Sequence, residues 1–405
     1  MRGGRSGGRK RDAPSTEQGA VDKRAKKGAE TAADAEVDLF QYGVKLLVKG
    51  NEAAALIGHG GSIIKGVRAW SGASVRVLSA DETTLPPQHA AARERIVLIQ
   101  GGPFAVCTAL TIAVPYMLVG GDDDDDDGRT LRLVSHNSLA GSMIGPRWSR
   151  VRAVAEACSC RIHVSPGDEY SASERLFVVR EAAGDDAGDG DHVRLIHAVR
   201  SLLDHAAAGG DIEEGGSKPP CMLKVLVANG IAGLIIGPRG ATREMLALQS
   251  GAQVHIGNDT YPGRQQRAVL LSGGPLAVSS ALAFILKVVF TASEGEGDDE
   301  KSTPRAVVFA VPEAAAGRLI GRGGANIREI RGKLPEGASF TVADAASCAV
   351  EHERLVTIHG AYMDVHRAAG ELLDCMYAME PEVALDYRDA PRDRPGVRES
   401  RQGRA

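Results

Sequence analysis

At 405 residues, with 43% apolar and 25% charged side chains, the chain exceeds what one core organises and is apolar enough to fold, so several small units are expected. Aromatic residues make up only 4%, which excludes binding by a long row of stacking rings, and no apolar run reaches the roughly 20 residues of a membrane span. The net charge of −4 excludes a uniformly basic protein, but its acids concentrate at 122–127, 184–191 and 294–300, in what read as connectors.

Residues 1–38 are Gly-rich and basic and read as a disordered arm. Clusters at 9–11 and 23–27 resemble a bipartite import signal, which predicts a nuclear protein that can shuttle to the cytoplasm; nonspecific phosphate binding is the other reading. The first folded unit spans 41–119. Its pattern predicts a strand at 44–48, a short helix at 52–57, and the tetrapeptide Gly58-His59-Gly60-Gly61. A second helix then runs to Ser71 and stops at Gly72. A strand at 74–78, a polar loop at 80–92, a strand at 96–99 and a helix at 104–118 complete the order β-α-α-β-β-α.

That order returns over 129–208, 221–291 and 304–381, each copy about 85–90 residues after the last. The matching tetrapeptides are Gly145-Pro146-Arg147-Trp148, Gly237-Pro238-Arg239-Gly240 and Gly321-Arg322-Gly323-Gly324. Each unit can bury a three-stranded antiparallel sheet under three helices, giving an α+β class and predicting beads on flexible connectors rather than a stacked solenoid. The charged tail at 382–405 is expected to be disordered.

A glycine tetrapeptide between two helices lets a sugar-phosphate strand lie against bare backbone. The six cysteines are scattered, without the paired spacing of a structural zinc site, and suit a reducing intracellular compartment. No phosphate-binding GxxxxGK[ST] loop or HExxH spacing occurs, and Gly58 follows a helical turn rather than a strand. The chain therefore reads as a non-enzyme needing no cofactor and no metal.

The segments Leu56-Ile57-Gly58-His59-Gly60-Gly61-Ser62-Ile63-Ile64-Lys65 and Leu319-Ile320-Gly321-Arg322-Gly323-Gly324-Ala325-Asn326-Ile327-Arg328, with third strands opening Glu94-Arg95 and Glu353-Arg354, resemble the type I KH domain. Four copies in register resemble multi-KH proteins of the poly(C)-binding-like group, including its plant members. The resemblance implies four tandem KH domains, the second with a degenerate loop, that bind single-stranded RNA sequence-selectively and serve mRNA processing, splicing or stability. Single-stranded DNA and a protein-interaction scaffold, in which KH units pair through first strand and last helix, are the alternatives.

The implied RNA contacts are the loops Gly58, His59, Gly60 and Gly61; Gly145 and Arg147; Gly237, Arg239 and Gly240; and Gly321, Arg322, Gly323 and Gly324. Apolar groove floors are implied at Ile57, Ile64, Ile144, Val151, Ile236, Ile320 and Ile327. Base-edge contacts are implied for the third-strand Arg95, Arg175, Arg267 and Arg354. On the second strand only Arg161 is basic, its counterparts being Ser74, Gln253 and Ser339. Pro146 and Trp148 break the second loop, so a weak phosphate grip is expected there. Trp148 is expected to pack on its own domain or a neighbour, the other possibility being to stack on a base.

Overall fold

The computed structural model describes residues 42–379, except 80, 81, 83, 84, 168, 335 and the connectors 120–128, 182–191, 208–220 and 293–304. The basic arm, the charged tail and the acidic connectors lie outside the described residues.

The first module comprises β1 (Tyr42–Val48), α1 (Gly50–Ile57), α2 (Ser62–Ser71), β2 (Ser74–Val77), α3 (Pro87–Ala91), β3 (Arg95–Gly101) and α4 (Pro103–Val119). Alternation sets its sheet: Val44, Leu46 and Val48 face the helices while Leu47 joins a small cluster on the opposite face. Gly72, in the left-handed region at φ 72°, ends α2. Part of the predicted loop at 80–92 is helical, because Pro87 starts a short turn of helix at α3.

The second module is β4 (Thr130–His136), α5 (Asn137–Ile144), α6 (Ser149–Ala157), β5 (Cys160–Val164), β6 (Glu174–Glu181) and α7 (Val193–Ala207). The third is β7 (Cys221–Ala228), α8 (Asn229–Ile236), α9 (Ala241–Ser250), β8 (Gln253–Thr260), β9 (Gln266–Gly273) and α10 (Pro275–Thr291). The fourth is β10 (Arg305–Pro312), α11 (Glu313–Ile320), α12 (Ala325–Gly332), β11 (Ser339–Val342), β12 (Glu353–Gly360) and α13 (Tyr362–Tyr377). All strand pairings are antiparallel, and the third strand of each module lies in the middle of its own three.

The modules are not independent beads; they form one compact unit. First strands pair, so the sheets are six-stranded, with orders β2-β3-β1-β4-β6-β5 and β11-β12-β10-β7-β9-β8. Leu46 lies opposite Leu133, and Phe309 opposite Val225; these residues are equivalents in the repeat, so each junction has local two-fold symmetry.

Charges mark the junctions. Lys45 reaches Glu174 at 2.5 Å, and the equivalent Arg132 pairs with Glu94, which also accepts from His89. In the second sheet Lys224 meets Glu353 at 2.5 Å, almost wholly buried, and the Tyr261 hydroxyl donates to the same carboxylate at 2.9 Å. The symmetric mate of that pair is missing on both sides: Val308 stands where a cation would be, and Gln266 where the acid would be. A lone buried charge would cost several kcal/mol, so the coordinated loss is the physically acceptable one.

The last helices of the modules bring the two sheets together, with α4, α10 and α13 in mutual contact and α7 against α10. Asp204 on α7 accepts from the amides of Leu276 and Ala277 at 2.9 and 3.1 Å, capping α10 of the next module. Asp374 on α13 stands in the equivalent place at the start of α4, where any Cβ on Gly102 would overlap it. Phe104 of the first module sits in the core of the third and fourth, its ring centroid 4.4 Å from that of His366; Leu276 joins the core of the first and second. Burying each such side chain contributes about 1.5–3 kcal/mol.

Candidate nucleic-acid interface

The four tetrapeptides share one backbone shape despite different residues. Each first helix ends at a glycine with φ between 69° and 72° and ψ between 170° and 177°. A one-turn 3-10 segment follows, closed by the amide of the fourth residue donating to the carbonyl of the first at 3.1–3.2 Å. The third and fourth residues are both left-handed: Gly60 and Gly61, Arg147 and Trp148, Arg239 and Gly240, Gly323 and Gly324.

The four positions divide by role. At the first, packing adds to the positive φ in demanding glycine: a Cβ on Gly58, Gly145 or Gly321 would approach Ile63, Arg150 or Asn326 to 2.6–2.7 Å, and one on Gly237 would come within 2.8 Å of the backbone nitrogen of Thr242. That is the close approach of two helices. At Gly60 and Gly323 an added Cβ would meet nothing within 4 Å, and the second and third residues of all four loops are exposed. These central residues, with His59, Arg147, Arg239 and Arg322 among them, form the accessible rim. The second helix begins directly after it, so its positive end faces the same side.

Lys65 donates to the Gly60 carbonyl at 3.3 Å, and Arg328 to the carbonyls of Gly323 and Gly324 at 3.0 and 3.1 Å. Sequence reasoning assigned these cations no role. Their position four residues beyond the last glycine, one helical turn, is the signal that finds them. The corresponding residue in the third module is Glu244, an exposed carboxylate beside Gly240.

The implied groove floors are mixed. Ile64, Ile144, Val151 and Ile327 are buried, Ile236 and Ile320 half-buried, and Ile57 is exposed. The third-strand arginines are half-buried: Arg267 donates to the Gly257 carbonyl at 2.7 Å and Arg354 to that of Ala343 at 2.8 Å, tying each β-β loop to its sheet. Arg175 lies against Gly167 in its own β-β loop. Arg161 is exposed on edge strand β5, and with Ile162, His163, Val178 and Arg180 it lines a depression of about 390 Å³.

Trp148 does not pack away as expected; it is 43% exposed. Because β2, β5, β8 and β11 are the outer strands of the two sheets, strand pairing leaves the side of each module bearing its second strand and loop uncovered by its sheet partner. Among the described residues, no three metal-ligating side chains converge and no helix is long and apolar enough to cross a membrane.

Fold and loop together define a tandem array of helix-loop-helix modules, each with an exposed rim of backbone between its two helices. The KH domain model matches residues 43–112, 222–287 and 306–374, half of the chain, and does not match the second module. The chain belongs to the KH-domain family and carries several copies, which makes it a nucleic-acid-binding protein. A human Tudor and KH domain-containing protein is 32% identical over 141 residues, 35% of this chain; the match spans 23% of that relative's length. Two solved structures are similar at a TM-score of 0.16: an a/eIF2alpha-aDim2p-rRNA complex from Pyrococcus horikoshii OT3 (18% identity, 38% of this chain and 86% of that one) and one described as KH domains (8% identity, 84% and 86%). At those scores neither bears on function.

Proposed function

We propose that this chain is a non-enzymatic, sequence-selective binder of single-stranded RNA, gripping the strand at the interhelical loops of the first, third and fourth modules. The second is a fourth, diverged copy of the same module. The observation that carries this reading is the shared exposed loop, with its third residue left-handed, Gly60 and Gly323 in open space, and an exposed His59, Arg239 or Arg322 on each rim. Bare backbone allows close approach, and the cations are placed for phosphate.

The basic clusters at 9–11 and 23–27, read as an import signal, point to nuclear pre-mRNA or mRNA as the substrate and to a post-transcriptional role. A scaffold working through first strands and last helices is less favoured, because those surfaces are already occupied within the chain.

Cross-linking of labelled single-stranded RNA tests the proposal, using the intact chain with Asp replacing both central residues of three loops: His59 and Gly60, Pro238 and Arg239, Arg322 and Gly323. The expected outcome is loss of cross-linking by a chain that still unfolds cooperatively, at a lower midpoint because Gly60→Asp and Gly323→Asp must hold a left-handed backbone. Undiminished cross-linking would reject the loops as the site, and single-stranded DNA competing equally would extend the ligand to DNA.

A further inference from the structure

The second loop keeps the common backbone at an energetic cost. Arg147 at φ 50° and Trp148 at φ 66° are both left-handed without being glycine, a conformation unfavourable by about 1–2 kcal/mol for each ordinary L-residue. Where two adjacent residues hold such a shape, a functional reason is the first to consider. Trp148 has another peculiarity: the residue is 43% exposed on the helix-joining rim, where the other modules present glycine.

The chain around it is rich in positive charge, with Glu156 one helical turn beyond Arg152 as the nearest acid in sequence. From Gly145 to Ala155 there are three arginines and no acid. Arg147 and Arg152 are exposed, while Arg150 is used internally, donating to the Ser142 carbonyl at 2.6 Å. The strand next to α6 adds exposed Arg161 and His163. An exposed indole with the exposed guanidinium groups of Arg147 and Arg152 near it in the chain suits a polyanion that also offers flat apolar faces, which is single-stranded nucleic acid.

We propose that the rim of the second module is a nucleobase-stacking site, in which Trp148 receives a base while Arg147 and Arg152 meet the flanking phosphates. Where the family-matched loops take backbone against backbone, this loop takes a base against a ring. The proposal rests on the reading that the chain binds single-stranded RNA.

The chain has two tryptophans, so in a Trp70→Phe background the emission reports Trp148 alone. With the full chain and a mixed-sequence single-stranded oligoribonucleotide, emission should be quenched along the same curve that anisotropy gives for binding. Trp148→Ala should weaken binding about 5- to 150-fold, the usual range for losing one base–aromatic stack, and Trp148→Phe should retain most of it. Trp148→Gly separates stacking from backbone gripping, since it relieves the left-handed strain and restores the fourth glycine. Stacking predicts weaker binding, whereas equal or tighter binding overturns the proposal. Binding with unchanged Trp148 emission also overturns it. An oligonucleotide that fails to bind the wild-type chain at all removes the underlying reading as well.

Discussion

At the residue scale, the tetrapeptides join two requirements that look alike in sequence. Gly58, Gly145, Gly237 and Gly321 are set both by positive φ and by the crowding of two helices, whereas Gly60 and Gly323 are set by left-handed backbone alone, in open space. The tetrapeptide is thus one closely packed glycine followed by an exposed rim. Local electrostatics then grades the loops. Lys65 and Arg328 bring positive charge to the first and fourth, while Glu244 brings negative charge to the third. Glu244→Lys is therefore expected to strengthen RNA binding and steepen the dependence of log affinity on log salt by about 0.7, the contribution of one added phosphate contact on a single strand. Salt titration of both forms checks this; an unchanged slope would show that position 244 lies off the path of the strand.

At the element scale, what the sequence made legible was the module and not its neighbour. The order β-α-α-β-β-α and the helix stop at Gly72 both follow from local periodicity and turn residues. Strand pairing between modules did not, because the alternation Val44, Leu46, Val48 reads the same whether the strand edge is free or paired. The signal that was present lay in charge: Lys45 and Arg132 have Glu174 and Glu94 to meet, and Val308 is matched by Gln266. Such complementarity is visible only once a register is given. The Lys224–Glu353 pair, with side chains 6% and 2% exposed, has no water to fall back on. Lys224→Met should destabilise the protein by about 3–5 kcal/mol by stranding Glu353, and adding Glu353→Gln should recover most of that loss by copying the neutral Val308 and Gln266 arrangement. Denaturant unfolding of the two single variants and the double variant measures the coupling; simple additivity would contradict it.

At the scale of the whole molecule, the last helices convert two sheets into one body, and their burial gives it a pH signature. Burial, then the charge of Glu371, raises the Asp374 carboxyl from 3.8 to about 7, with Lys333 opposing. The folded state therefore holds a proton that the unfolded chain releases, so this group's contribution is full near pH 4 and fades as pH rises to 7. Burial has the opposite consequence for His197 and His366, both lowered to about 4: they are held neutral, and acid below their ordinary value of 6.5 destabilises the fold. In Asp374→Asn only the histidine slope remains, so the gain in Tm from pH 5 to pH 7.5 should be larger than in the wild type. Parallel profiles would exclude an uncharged Asp374 in the folded protein.

The same compactness dictates how a strand of RNA meets the array. Six strands at about 4.8 Å spacing set β2 and β5 about 24 Å apart, and the two-fold relation between the modules turns their grooves in opposite directions. A strand occupying both must leave one groove, cross the block and reverse. The most direct measurement is the affinity of the intact chain for single-stranded RNA as its length is increased nucleotide by nucleotide. The account predicts a weak plateau once one loop's site of about four nucleotides is filled, then a distinct rise when the strand can reach a second groove. A smooth gain with every added nucleotide, or no binding at any length, would contradict it.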